Sequence, residues 1–299
     1  MAHVAANGIT IEYEQEGDGD PLLLIMGLNG QLIDWPAGLV AELVGRGFRV
    51  IRFDNRDAGL STEFTSTPPT VWELMRRAAL RTRVPAEYTI PDMAADAVAL
   101  LDALDIRQAH VAGMSMGGMI AQQIAIDHPE RVLSLTSIMS TTGNPRVGRP
   151  KPKVLLHAAR RRPLGPEQAV DSAVDLFRLI SGPTFDDTDF RELAEASIAR
   201  SYRPEGTGRQ LAAILASPDR TPRLRQLRVP ALVIHGMRDP LVRPSGGVAT
   251  AEAIPGSRLL MFNDMGHDLP ATRWVEIAAA IRHNADQAHA AAVAPVAAG

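Results

Sequence analysis

The chain has 299 residues, 45% of them hydrophobic and 22% charged, which is enough to bury a large core and excludes a disordered or fibrous protein. A net charge of −3 supplies no positive field for a phosphate backbone, so nucleic acid is not expected as a partner. With no cysteine, disulfides, thiolate metal sites and a cysteine nucleophile are all excluded.

The start, MAHVAANGITIEYEQEGDG, lacks the basic opening and apolar run of a signal peptide, and a cytoplasmic location is expected. Within it GITIEYEQEG alternates apolar and polar residues, as an antiparallel edge strand exposed on one side would. The apolar run LLLIMGL at 22–28 is too short to span a bilayer, and no membrane partner is expected. It reads instead as the first of several strands buried on both faces: 22–27, 49–54, 110–115, 133–140, 231–236 and 258–263. Helical periodicity separates them at 36–46, 92–104, 117–128, 247–254 and 271–283. This β-then-α rhythm predicts a mostly parallel, doubly wound α/β sheet.

The rhythm breaks twice. Residues 62–91 form an irregular insertion, expected to pack beside a second and longer one. That second stretch, 141–228, carries only proline-bounded helical segments and is predicted to be a helical cap over the carboxyl edge of the sheet. The expected organisation is thus a core of residues 1–140 and 229–284, a cap at 141–228 and a frayed tail at 285–299, where AHAAAVAPVAAG is of low complexity.

The stretch GMSMGG at 113–118 closes one predicted strand and opens a helix. A GxSxG in that context is a nucleophile elbow: glycines permit a sharp turn that projects Ser115 above the sheet, and the helix start favours developing negative charge. A serine hydroxyl needs a base, and the base a carboxylate, in chain order Ser, Asp, His. Among the histidines, His235 ends a strand, where bonding to backbone explains it equally well. His267 stands in NDMGHDLP, after the last strand, and is the preferred base. Asp239, in HGMRDPLV at another strand's carboxyl end, is the preferred acid. Asp264 and Asp268 lie close to His267 in sequence and could merely cap the final helix, and Asp219 belongs to the cap. The oxyanion hole requires backbone amides; Met116, after the nucleophile, and Leu28, in LLLIMGLNG, are the candidates.

These residues together resemble the α/β-hydrolase superfamily, across about residues 8–284. Within it, LLLIMGLNG, Trp35-Pro36, RVIRFDNRDAGLST, HVAGMSMGG, HGMRDPLV and MGHDLP look most like methylesterases of the aclacinomycin methylesterase type, in which a similar Met-Gly replaces the more usual His-Gly of the oxyanion loop. The resemblance implies triad roles for Ser115, Asp239 and His267 and oxyanion roles for Leu28 and Met116. The arginine-rich start of the cap and the 62–91 insertion do not map onto that type, so an aromatic polyketide substrate is not carried over.

The expected activity is hydrolysis of a small to medium hydrophobic ester through an acyl-enzyme, requiring neither metal nor organic cofactor. Carbon–carbon bond hydrolysis, lactone hydrolysis and cofactor-free haloperoxidation use the same serine and stand as alternatives, with a non-catalytic binding protein of this fold behind them. Met114, Trp35 and Asn29 are candidates for the substrate pocket, with Phe177, Leu179 and Phe185 from the cap, although each is also an ordinary core candidate. Arg160, Arg161 and Arg162 read as a solvated face. Asp54, Arg56 and Asp57 are expected to form a salt-bridged turn beside the oxyanion loop.

Overall fold

A computed structural model describes residues 1–80, 82–160 and 165–293. An eight-stranded sheet runs in the order β1-β2-β4-β3-β5-β6-β7-β8. Its members are β1 (Ala2–Ala6), β2 (Ile9–Glu16), β3 (Asp20–Ile25), β4 (Phe48–Phe53), β5 (Ala109–Met114), β6 (Val132–Ile138), β7 (Ala231–Gly236) and β8 (Arg258–Phe262). β1 and β2 are antiparallel to their neighbours and the rest are parallel. β2 is therefore antiparallel as its alternation suggested, but it is not the edge strand. The edges are β1, whose alanine-rich sequence gave no strand signal, and β8, which was expected to be buried on both faces but pairs only with β7 and leaves Arg258 and Leu259 exposed.

Helices α1 (Ala37–Val44), α2 (Val71–Leu80), α3 (Ile90–Ala103) and α4 (Met116–Asp127) precede β6, and α5 (Pro152–Arg160), α6 (Pro166–Ile180), α7 (Asp187–Arg200), α8 (Pro204–Ala216) and α9 (Thr221–Leu224) lie between β6 and β7. α10 (Ser245–Ala253) and α11 (Trp274–Val293) complete the chain. None of the helices among the described residues is long and apolar enough to cross a membrane.

In the interior parallel strands the unbroken apolar runs follow from burial on both faces. In β3, Leu23 and Ile25 join a cluster with α3 and α4, including Met93, Leu100 and Ile120. The intervening Leu22 and Leu24 join the opposite cluster with α1 and α11, including Leu39, Leu43, Ile277 and Ile281. Each side chain of this kind, fully removed from water, stabilises the fold by about 1.5–3 kcal/mol. The 62–91 insertion is not irregular throughout: it carries α2, whose Leu74 packs with Val84 and with Ala212 of α8.

The final helix does not fray at residue 285. It continues to Val293, with Asn284 and Ala285 buried and Asn284 Nδ2 donating to Leu135 O at 3.0 Å. Alanine is the strongest helix former, which a search for an apolar stripe overlooks. Residues 294–299, the remainder of the expected tail, lie outside the described residues, as do Arg161, Arg162 and the side chain of Arg160.

Strand order reverses at β3, which pairs with both β4 and β5. In open α/β sheets the crevice beyond the carboxyl ends of strands at such a switch point is where ligands bind. The loops leaving β3 and β5 meet there.

Candidate active site

Ser115 sits between β5 and α4 with φ 56° and ψ −118°, a backbone conformation unfavourable for a residue with a side chain. The fold holds it there from both sides. Its N–H donates to Ile138 O at 2.8 Å, and its carbonyl accepts from Ser140 Oγ at 2.8 Å. The turn is sharp enough that a Cβ on Gly117 would lie 2.0 Å from Ile25 O, so α4 can approach β3 only with glycine at this position. A Cβ on Gly27 would lie 3.1 Å from Ser115 Cβ. The loop after β3 thus lies directly against the elbow.

Asp239 follows β7 and His267 follows β8, at the same edge of the sheet as Ser115. His267 Nδ1 donates to Asp239 Oδ2 at 2.6 Å, and both residues are buried. The other carboxylate oxygen, Oδ1, accepts the amides of Leu241 and Val242 at 2.8 and 2.9 Å. A carboxylate so engaged is held in one orientation and keeps the imidazole proton on Nδ1, leaving Nε2 as the basic nitrogen. The backbone of His267 is fixed in turn by donation to Ile180 O at 2.8 Å, at the end of α6.

The rival residues have other partners. Asp264 is ion-paired with Arg273, whose guanidinium holds the carboxyl below its usual range. Asp268 Oδ1 accepts the amides of Gly182 and Gly266 at 3.0 and 2.8 Å, while burial pushes its carboxyl upward. Asp219 accepts from Thr221 N at 2.8 Å, at the start of α9. His235, fully buried, directs Nε2 to Val242 O at 2.7 Å, and the same nitrogen lies 3.6 Å from Asp239 Oδ2. Burial lowers its pKa below 6.5, so it is neutral and donates from Nε2. It thereby braces the loop that carries Asp239, a role its strand-end position did not reveal.

The amide of Leu28 has no acceptor among the described residues, and that of Met116 opens α4, where helix amides have no partner within the helix. Asn29 is exposed, with φ 62°, and donates its N–H to Gln210 Oε1 at 2.8 Å. Asn55 Nδ2 donates to Met26 O at 3.0 Å, bracing the same loop from β4. Met114 and Trp35 belong to the apolar cluster on the α1 and α11 face, with Met26 and Leu39. Phe177 and Phe185 pack on Phe190, at ring-centroid distances of 4.1 and 5.5 Å, within the inserted helices. Leu179 is half-buried on α6.

The turn after β4 is salt-bridged, but to distant helices rather than within itself. Arg200 Nη1 reaches Asp54 Oδ2 at 2.7 Å. Arg56 makes paired bonds to Asp96 at 2.6 and 2.7 Å, and Arg209 does the same with Asp57 at 2.9 Å. Sequence reasoning found the acidic turn but none of these partners, because nothing local marks them.

An elbow serine after β5, a buried histidine–carboxylate pair after β8 and β7 and a facing amide loop after β3, all at one edge of a sheet with this order, accord with a match to the α/β-hydrolase fold family over residues 20–272. The chain belongs to that family. The hydrolase is 33% identical over 295 residues to rhodomycin D methylesterase DauP of Streptomyces sp. (strain C5), covering 89% of this chain and 92% of the relative. It is 32% identical, with the same coverage, to rhodomycin D methylesterase DnrP of Streptomyces peucetius. Among solved structures, the enol-lactonase from Burkholderia xenovorans LB400 superposes with a TM-score of 0.69 at 24% identity, covering 97% of this chain and all of that one, a likeness of fold alone. The hydrolase is thus an enzyme of the α/β-hydrolase type with methylesterases among its relatives.

Proposed function

We propose that this hydrolase cleaves carboxylic esters of small to medium hydrophobic molecules, with Ser115 as nucleophile, His267 as general base and acid, and Asp239 as the group that orients His267. The observation that carries the reading is the 2.6 Å bond from His267 Nδ1 to Asp239, made by a carboxylate whose second oxygen is already held by two amides. His267 Nε2 accepts the Ser115 proton as Oγ attacks the ester carbonyl. The amides of Leu28 and Met116 stabilise the oxyanion. The same proton passes from His267 to the departing alcohol, and water activated by His267 then attacks the acyl-enzyme and releases the acid.

The methylesterase names of DauP and DnrP favour a short alcohol such as methanol as leaving group. The helices between β6 and β7 serve as a cap, and the core comprises the segments on either side of it. No metal or organic cofactor enters these steps. Hydrolysis of p-nitrophenyl esters from acetate to decanoate, by the wild type and by Ser115→Ala, tests the proposal. The wild type is expected to turn over the shorter esters and the variant to lose at least about 10⁴-fold in kcat. A wild type inert on the whole series sinks the ester reading.

A further inference from the structure

Helix α8 grips the turn after β3 with two side chains three residues apart, on one face of the helix. Gln210 Oε1 accepts the Asn29 N–H at 2.8 Å, and Thr207 Oγ1 donates to Asn29 Oδ1 at 2.6 Å. The amide nitrogen of Gln210 is engaged too, donating to Arg56 O at 2.7 Å. Gln210 is fully buried. A glutamine in that position has one use for each end of its amide, and it joins the loop after β3 to the turn after β4.

The geometry of the gripped turn makes this contact consequential. Gly30 N donates to Gly27 O at 3.1 Å, Asn29 has φ 62°, and Leu28 is not among the residues with positive φ. This is the pattern of a type II turn with Leu28 and Asn29 at its centre. In the competing type I turn the peptide between them is reversed and Asn29 takes a negative φ. Its N–H would then point away from Gln210. The acceptor on α8 therefore selects one of the two turns, in a loop whose Gly27 lies against Ser115.

We infer that Gln210 is a positioning residue for the oxyanion hole: the Leu28 N–H belongs to the preceding peptide and keeps its direction in either turn, and Gln210 acts by anchoring the 27–30 turn to α8 and to the turn after β4, so that the Leu28 amide is held in place against the elbow. The inference rests on the ester-hydrolase reading and on Leu28 as an oxyanion donor. Such donors act only when 2.7–3.1 Å from the developing charge, so a loosened turn affects the transition state more than the bound substrate.

The test compares the wild type with Gln210→Met, which keeps the length and removes both bonds, and with Thr207→Val, which loosens the same turn from a half-buried position. Each is assayed for kcat and KM on p-nitrophenyl butyrate and for its rate of inactivation by an organophosphonate, after a circular-dichroism melt shows it folded. The expected result for Gln210→Met is a kcat and an inactivation rate both lower by about tenfold or more, with KM within about threefold. Thr207→Val should show the same pattern more weakly, and serves as the test if Gln210→Met does not fold. Unchanged kcat and inactivation in the folded variants, or a change confined to KM, overturns the positioning role alone. A wild type that neither turns over the ester nor reacts with the phosphonate overturns the ester-hydrolase reading, and this inference with it.

Discussion

Asp239 uses both of its oxygens, one toward His267 and one toward the amides of Leu241 and Val242. An asparagine fits the same space, but whichever way its amide is turned it disturbs one of these engagements: an NH2 facing His267 forces the imidazole proton onto Nε2, where it cannot accept from serine. Asp239→Asn is therefore expected to leave the fold intact and lower kcat by about 10⁴-fold, as removal of the carboxylate does in other serine triads. Steady-state kinetics with a circular-dichroism control reads the outcome, and a kcat within tenfold of the wild type would refute the role. The pairing of His267 with Asp239 was legible because only a few histidines and acids fall at strand ends. The supports beneath it were not. Ser140 bonding the Ser115 carbonyl and His235 bonding Val242 O are backbone contacts, and a serine or histidine at a strand end looks the same with or without them.

At the scale of an element, the 3-residue helical turn Leu32–Asp34 is locked to the end of α7. Gln31 Nε2 donates to Ser197 O and Ser201 O at 2.6 and 3.0 Å, and Arg200 Nη1 donates to Gln31 Oε1 at 2.6 Å. Asp34 Oδ2 accepts the Gln31 N–H at 2.8 Å, yet burial pushes its carboxyl from 3.8 up to about 6. Between those two values the folded chain keeps a proton that the unfolded chain has lost, so the contribution of Asp34 favours folding at acid pH and declines as pH rises toward 6. Above that both states are ionised and the folded one carries the cost of a buried charge. Asp34→Asn, which retains an oxygen for Gln31 N–H, should raise the melting temperature at pH 8 by about 2–4 °C, corresponding to ~1 kcal/mol in a chain of this size. The gain should vanish by about pH 4. An equal shift at both pH values would mean that the ionisation of Asp34 is not its source.

Across the whole molecule, the legible parts were those in which chemistry repeats over short distances. Strands buried on two faces announce themselves as apolar runs, and the glycines of GMSMGG mark a turn. The illegible parts were set by backbone pairing or by residues remote in sequence. β1 is held to β2 by main-chain register, from Ala2 opposite Tyr13 to Ala6 opposite Ile9, and needs no particular side chain. Likewise, the partners of Asp54 and Asp57 lie 146 and 152 residues away. That separation bears on the order in which the chain assembles. The turn after β4 addresses α3, α7 and α8 through Arg56, Asp54 and Asp57 respectively, and it cannot take its final form until all three helices have arrived. Closing such long loops costs entropy before the ion pairs return anything, so these contacts belong on the native side of the rate-limiting barrier. Asp57→Asn removes the charge that makes paired bonds with the buried Arg209 guanidinium, leaving it Ser66 O and the longer contacts to Glu63 and Glu205, and should destabilise the protein by about 3 kcal/mol. In stopped-flow urea experiments nearly all of that loss should appear as faster unfolding, with the refolding rate barely altered. A slowed refolding arm would instead place the turn in the nucleus. On this view the turn after β4, and the loop after β3 that Asn55 and Gln210 tie to it, form last and come apart first, so heating should abolish activity before the sheet melts.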